Sequence, residues 1–325
     1  MNPPSMLVSI VNFRTPELTL RCLASLERER ALVPELRAVV VDNASGDGSL
    51  QQIQEGIEQG GYADWAQVIA NPENSGYGSG NNLALSAELQ RDTPADFFLI
   101  LNPDTEILPG GIAKQIQFMQ DHPEASLTGP RTESTPGLAD PTAFRFPRYL
   151  NALSDGFRLG FLDRWCAKHR TAPPPREEAH QAEWVSGGCL LMRREVLETI
   201  GLFDEDFFLY FEEVDLCHRA ADAGFRTWYV PEAVIMHFAG SSTGIVSGEG
   251  GAQRMPGWWF DSRRRYLRKY HGFLYVLACD AIFFKGRAFW QLRAWIKGKQ
   301  AVDPPHFLWD FFRFNLLGQR WDQRP

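Results

Sequence analysis

Residues 6–43 read MLVSIVNFRTPELTLRCLASLERERALVPELRAVVVDN: an apolar run, a segment with helix start signals, and a second apolar run. Met6 to Val11 is short and almost uniformly apolar, which reads as a buried strand. Asn12-Phe13-Arg14 breaks it, and Thr15 as cap with Pro16 at the first helical position opens a helix to about Glu29. Leu36 to Val41 is the second strand, ending in Asp42-Asn43. The same unit repeats outward. A turn over Ala44–Gly48 leads into a helix near 49–58, and 66–70 is a weaker third strand. The segment NSGYGSGNN at 74–82 opens a helix to about Leu89. Phe97 to Leu101 is a fourth strand, closed by Asn102-Pro103-Asp104-Thr105-Glu106, and another helix follows Pro109. Strands and helices alternating at this spacing predict βαβ units, hence an α/β fold with a mostly parallel sheet flanked by helices.

Sheets of this kind bind ligands beyond the carboxyl ends of their strands. Those ends carry Asn12, Asp42, Asn74 and Asp104, and the four together weigh more than any one. Each also has a plainer reading. Asp42 can hold ribose hydroxyls or a base N–H, or simply make a turn before Gly46. Asn102-Pro103-Asp104 would form a turn in any case. It also places one carboxylate where Mg²⁺ or Mn²⁺ could sit beside a phosphate, since such ions need few protein ligands when the substrate supplies oxygens. The glycine-rich 74–82 segment offers the free N–H groups of a helix start to an anion. No G-x-G-x-x-G follows the first strand, which speaks against a dinucleotide oxidoreductase.

The second informative stretch is Trp184 to Ser242. Gly187 and Gly188 beside an apolar run allow close approach of a ligand, and a helix follows. Three acids, Glu212, Glu213 and Asp215, then stand between the aromatic run 207–211 and an amphipathic helix. Carboxylates among aromatics cost free energy unless paired or used; the competing reading is a solvated helix start whose acids favour the dipole. With the helix starting near Glu212, Glu212, Asp215 and Arg219 share one face. Glu213 then heads a stripe of Leu216, Cys217, Ala220 and Gly224 that should pack inward. His237 ends another apolar run, as a core histidine or as a ligand, with Gly240-Ser241-Ser242 just beyond it in reach of a phosphate. Between these regions, 130–183 loses regularity, and 171–178 reads as an exposed loop.

The chain has 325 residues, enough for one large α/β domain with an extension. Five scattered cysteines without a C-x-x-C argue for reduced thiols, a cytoplasmic setting and no zinc site. The N-terminus lacks a basic region and cleavage site, and no run of apolar residues is long enough to span a bilayer. The net charge of −7 is uneven: residues 257–325 hold 13 Lys+Arg against 5 Asp+Glu and six of the ten tryptophans. The sequence therefore predicts an acidic body, 1–256, divided at about 129, and a basic, aromatic helical extension, 257–325. Aromatic rings with basic heads suit an anionic membrane surface, a packed subdomain or an oligomer contact. Nothing points to nucleic acid.

VSIVNFRTPELTLRCLASL, VVVDNASGDGS, NSGYGSGNN, FLILNPDTEI, WVSGGCLLMRREV, GLFDEDFFLYFEEVDLCHRAADAGFR and VIMHFAGSS follow one another across 6–243. In that order they resemble the family 2 inverting glycosyltransferases of the GT-A (Rossmann-like) fold, nearest the rhamnosyltransferase-like branch that decorates lipid-linked or cell-wall polysaccharides. The resemblance implies a nucleotide-sugar donor, a glycan or polyprenyl-linked acceptor and a Mg²⁺ or Mn²⁺ cofactor. It implies that Asp42 contacts base or ribose with Asn12 lining the same pocket, and that Asn74 and Gly76 support the nucleotide. Asn102-Pro103-Asp104 matches the family's D-x-D motif, with Asn at its first position, leaving metal binding to Asp104 together with His237. Trp184, Gly187 and Gly188 would face donor and acceptor sugars. Glu212-Glu213 matches the family's x-Glu-Asp motif, whose last acid is the general base and is Glu here, with Asp215 close behind. A non-catalytic nucleotide-sugar-binding scaffold keeps the fold but leaves the acids without purpose. A nucleotidyltransferase would need a basic glycine-rich loop after the first strand, where only Arg14 stands.

Overall fold

The computed structural model describes residues 3–238, 254–298 and 303–320. Along the chain, the strands are β1 (Met6–Asn12), β2 (Leu36–Asn43), β3 (Ala66–Asn71), β4 (Phe97–Leu101), β5 (Thr105–Ile107), β6 (Ala125–Thr135), β7 (Leu138–Ala139), β8 (Ala143–Phe144), β9 (His180–Ala182), β10 (Trp184–Val185), β11 (Cys189–Arg193) and β12 (Arg226–His237). The helices are α1 (Pro16–Arg30), α2 (Ser49–Gln59), α3 (Tyr77–Leu89), α4 (Gly111–Asp121), α5 (Tyr149–Phe157), α6 (Gly160–Trp165), α7 (Arg194–Ile200), α8 (Glu212–Asp222), α9 (Gly257–His271), α10 (Phe273–Ile296) and α11 (Phe307–Phe311). They form two compact units. One comprises 1–144, 174–208 and 212–242, the other 145–173, 209–211 and 243–325. The division differs from the expected body and tail, because α5, α6 and residues 209–211 gather with the C-terminal helices.

The first unit is built on a central sheet ordered β3-β2-β1-β4-β11-β6-β12-β5. β3, β2, β1 and β4 run parallel in uninterrupted register; the apolar runs β1, β2 and β4 are buried on both faces, and β3 is the half-exposed edge. β11 enters antiparallel between β4 and β6, while β6 and β12 are again parallel. The core runs through Val8, Ile10, Val40, Leu99, Leu101 and Leu191, under Leu23 and Leu26 of α1. Glu29 is buried at the end of α1, where its carboxylate accepts the N–H of Gly110 at 2.7 Å and of Ile112 at 3.0 Å. That satisfies the start of α4 and locks it to α1.

Thr15 does not cap α1 with its side chain. Its N–H and hydroxyl both point back to Asn12 Oδ1, at 3.3 and 3.2 Å. The helix start is thereby tied to the end of β1. Residues 130–183 hold more structure than their sequence shows. β6 reads ASLTGPRTEST, whose polar, Gly-Pro interrupted pattern hides a largely buried strand. The two-residue strands β7, β8 and β10 are set by pairing alone. The expected loop over 171–178 is irregular and mostly exposed.

The second unit is helical. Phe260, Phe307, Phe311 and Phe314 form its core, with Trp259, Phe283 and Phe284 against them. α5 and α10 meet backbone to backbone: a Cβ added at Gly286 would stand 2.8 Å from the Gly156 carbonyl carbon. Three arginines of this unit enter ion pairs with buried carboxylates, Arg254 with Asp310, Arg263 with Asp280 and Arg287 with Asp303.

Candidate active site

The site lies in the first unit, at the carboxyl ends of β1, β2 and β4. Asn12 is fully buried, and its amide is consumed internally. Its Nδ2 donates to Asp42 Oδ1 at 2.8 Å and to Ser45 Oγ at 3.2 Å, while Oδ1 accepts from Thr19 Oγ1 at 2.9 Å. Asn12 therefore fixes the Asp42 carboxylate beside which it was expected to lie. Asp42 also accepts from Ser45 Oγ at 2.6 Å and Ser45 N at 3.3 Å. The Asx-type turn and the placement of an acid at the strand end are one and the same structure.

Three asparagines tie the ends of β2 and β3 together. Asn71 Nδ2 donates to Asn43 Oδ1 at 2.7 Å, and Asn43 Nδ2 donates to Asn74 Oδ1 at 2.8 Å. Asn74 Oδ1 also accepts the Gly76 N–H at 3.2 Å. Gly76 holds φ +104°, and a Cβ there would come within 2.2 Å of the Phe208 carbonyl oxygen, so only glycine fits. Tyr77 N–H donates to that same oxygen at 2.9 Å. The glycine loop thus starts α3 and holds the chain that leads to the acids.

At the end of β4 several groups converge. Asp104 is almost fully buried, and its Oδ1 is 3.3 Å from His237 Nε2. Asn102 Nδ2 is also 3.3 Å from that nitrogen, and Asn102 Oδ1 accepts the Tyr77 hydroxyl at 2.7 Å. Burial and then the charge of Glu212 hold the Tyr77 phenol well above its ordinary pKa, so it stays a donor. The Asn102 N–H donates to the Gly188 carbonyl at 3.0 Å, which fixes the glycine pair beside this corner. Cβ atoms added at Gly188 and Gly187 would stand 3.1 Å from His237 Cε1 and 3.2 Å from Glu213 Cβ. Close packing of imidazole and acid, rather than a special backbone angle, requires glycine at both. Trp184, half-buried on β10, stacks on Phe144 with ring centroids 4.2 Å apart.

A divalent cation fits this corner. Ligands held by roughly 2.1 Å bonds at neighbouring octahedral positions lie about 3 Å apart, close to the separation of Asp104 Oδ1 and His237 Nε2. Among the described residues no cluster of three or more His, Cys, Asp or Glu forms a self-sufficient metal site. Two protein donors would leave the other positions of such an ion to water and substrate oxygens.

The three acids of α8 have different surroundings. Asp215 is fully buried and paired with Arg219 at 2.8 Å. Arg219 does not reach Glu212; its other nitrogens donate to the carbonyls of Ile200 and Leu202 at 2.7 and 2.8 Å. Glu212 is buried with Oε2 lacking a hydrogen-bond partner. Burial, and then the neighbouring charge of Glu213, push the Glu212 carboxyl well above its usual pKa. Glu213 is half-buried: its side chain keeps partial solvent access while its Oε2 is buried. Leu216, Cys217 and Ala220 pack inward as its helical face predicts, whereas Gly224 is exposed at the helix end. The two residues before Glu212, Tyr210 and Phe211, both take left-handed backbone angles, φ 66° and 70°.

The sequence model of the glycosyltransferase-like family 2 matches residues 3–255. The chain belongs to that family. It is 30% identical over 234 residues to the N-acetylglucosaminyl-diphospho-decaprenol L-rhamnosyltransferase of Mycobacterium tuberculosis, covering 69% of this chain and 73% of that protein. The rhamnosyltransferase WbbL of Escherichia coli is 29% identical over 174 residues, 50% of this chain and 61% of its own length. Among solved structures, the mannosyltransferase PcManGT of Pyrobaculum calidifontis, in complex with GDP-Man and Mn²⁺, superposes with a TM-score of 0.57. The overlap spans 98% of this chain and 89% of that one at 15% identity, a likeness of fold. The chain is a glycosyltransferase with the GT-A fold.

Within this family 2 glycosyltransferase, sequence reasoning had no role for Tyr77, Asn43 or Ser45. Tyr77 lay inside a run that drew notice for its glycines and asparagines. Asn43 stood beside Asp42, and its position as the last residue of β2 was the signal. Gly240-Ser241-Ser242, singled out as a phosphate contact, lies outside the described residues.

Proposed function

We propose that this chain transfers a sugar, rhamnose in the first instance, from a nucleoside-diphosphate donor to a hydroxyl of a lipid-linked or glycan acceptor. Attack is a single displacement with inversion at the anomeric carbon. The carrying observation is that Glu213 and His237 pack against one glycine pair, Gly187-Gly188, and that Asp104 stands 3.3 Å from the same His237. The choice of rhamnose and of a lipid-linked acceptor is supported by the relatives' activities.

In this reading the donor side comes from the chain up to residue 129. Asp42, held by Asn12 and Ser45, meets base or ribose, and the backbone around Asn74 and Gly76 carries the nucleotide. Asp104 and His237 would hold Mg²⁺ or Mn²⁺, and Asn102 would be turned toward them by Tyr77. Such an ion, when bound, neutralises charge developing on the departing diphosphate. The acceptor side comes from 130–256, with Trp184, Gly187 and Gly188 against the sugars. Glu213 takes the proton from the attacking hydroxyl as the new bond forms. Burial, which holds the Glu212 carboxyl well above its usual pKa, disfavours a second charge beside it. Five buried free thiols agree with a reducing, cytoplasmic setting.

The test is a panel of nucleotide sugars with added Mg²⁺ or Mn²⁺, scored for released nucleoside diphosphate and for the anomeric configuration of any product. Slow donor hydrolysis, and transfer with inversion once an acceptor is supplied, are expected. Donor binding without turnover under every condition would identify a binding scaffold instead.

A further inference from the structure

α10 runs for 24 residues, about 36 Å at 1.5 Å per residue. Leu274, Ala278, Lys285, Phe289, Leu292 and Ile296 recur along it at helical spacing and are all exposed. Leu274, Leu292 and Ile296 are 79%, 54% and 69% exposed, and the adjacent Trp295 is 77% exposed. Trp295 also lines an open groove of about 790 Å³ with Phe284, Pro304, Phe307, Trp309 and Phe312. Stripe and groove make one apolar surface, larger than scattered surface hydrophobics account for.

The charges on this unit are sorted by sign. Residues 254–298 and 303–320 contain four carboxylates, Asp261, Asp280, Asp303 and Asp310. Asp280, Asp303 and Asp310 are inside, each against an arginine. Asp261 is only partly exposed and lies 3.5 Å from Arg320. Arg287, which as sequence spoils a one-sided basic face, is removed from the surface by its pair with Asp303. On α10 the outward charges are then Lys285 and Lys297, with Arg293 half-buried beside them, and no acid. Among the described residues no helix is long and apolar enough to cross a membrane.

We infer that the Leu274–Ile296 face of α10, with the groove at Trp295 and Trp309, is a docking surface for an anionic lipid bilayer, on which the helix lies in the plane of the interface. Apolar side chains enter the headgroup boundary, tryptophans sit at its level, and the lysines meet lipid phosphates. A second copy of the chain is the poorer occupant. It would bring Lys285 and Lys297 toward their own kind, and the one carboxylate lining the groove, Asp303, is already spent on Arg287. The inference rests on the proposed lipid-linked acceptor for its purpose, since attachment brings the enzyme to the surface where such an acceptor resides.

The experiment is flotation of the full chain, without substrates, on vesicles of phosphatidylcholine alone or with 30% phosphatidylglycerol. Two variants accompany it, Leu292→Gln/Trp295→Gln/Ile296→Gln and Lys285→Gln/Lys297→Gln. All these side chains are exposed, and unchanged circular dichroism and melting confirm folding. Co-flotation with the anionic vesicles at low salt is expected, with at least a tenfold loss in each variant and weakened binding on neutral vesicles. Absence of co-flotation, or equal flotation of parent and variants, would overturn it. So would a parent dimer, seen by sedimentation, that the apolar variant dissociates without any vesicle binding. Because no sugar is transferred in the assay, its failure is separate from failure of the glycosyl-transfer reading.

Discussion

His237 Nε2 and Asp104 Oδ1 face each other at 3.3 Å although 133 residues separate them in the chain. β5 and β12 make the meeting unavoidable. They pair antiparallel with Thr105 opposite His237, and the Phe238 N–H donates to the Asp104 carbonyl at 2.9 Å. The strand that carries the histidine is thus registered by backbone bonds against the turn that carries the acid. Asn102 Nδ2 lies at the same 3.3 Å from that imidazole nitrogen, so the histidine meets both the acid and the amide of the turn.

Asp104→Ala is expected to lose metal-dependent donor binding and to lower transfer by roughly 10²–10³-fold, the scale for removing one preorganised charge-stabilising group. His237→Ala should act in the same direction. Titration of Mn²⁺ by calorimetry in the presence of nucleoside diphosphate checks both. Transfer undiminished by EDTA in the parent would refute metal dependence.

Glu212 makes stability depend on pH. Its folded-state pKa lies well above the ordinary value of 4.5, chiefly through burial. Below that value the carboxyl is neutral in both states and its effect is absent. As pH rises from there toward the folded pKa, the unfolded chain releases the proton and the folded chain holds it, so stability falls. Glu212→Gln removes this penalty. Its melting temperature should match the parent near pH 4 and exceed it at pH 8 by on the order of a few degrees. A constant offset across pH would show that Glu212 is ionised in the fold.

Asp215 acts on stability through Arg219. Asn in its place leaves the guanidinium bound to the two carbonyls of the 200–202 segment but without its countercharge. Because Arg219 retains partial solvent access, the expected loss is about 2–3 kcal/mol, below the range for a fully buried pair. Chemical denaturation measures it, and donor binding by the folded fraction should be unchanged.

The parallel half of the sheet was legible because its strands are apolar runs closed by polar residues and its helices carry start signals. The strand-end residues Asp42 and Asp104 were legible for the same reason. What escaped were features that only pairing creates. β6 is a buried strand written in threonine, serine, glycine and proline. α5 belongs with α10 through the contact between Gly156 and Gly286, 130 residues apart, which no local pattern announces. Tyr77 escaped because a phenol has no role until Asn102 is placed within 2.7 Å of it. The tail's basic count misled in detail, since Arg263 and Arg287 are spent on internal pairs.

The last prediction concerns the base. Three carboxylates stand in four positions of α8, and the helix assigns them different faces. Asp215 is committed to Arg219, and Glu212 is buried with its carboxyl held well above the usual pKa. Only Glu213 keeps solvent access, and its side chain packs where a Gly187 Cβ would be 3.2 Å from Glu213 Cβ. A base must be ionised and must reach the acceptor hydroxyl, and of the three only Glu213 joins access with contact to the glycine pair. Glu213→Gln is therefore expected to keep nucleotide-sugar binding and lose transfer by roughly 10²–10⁴-fold, the range for a general base. Gly187→Ala should reproduce part of that loss without changing any charge, because the added methyl displaces the acid. Single-turnover rates with donor prebound separate chemistry from binding in both. Near-parental turnover by Glu213→Gln, with Asp215→Asn folded, donor-bound and dead, would transfer the role to Asp215.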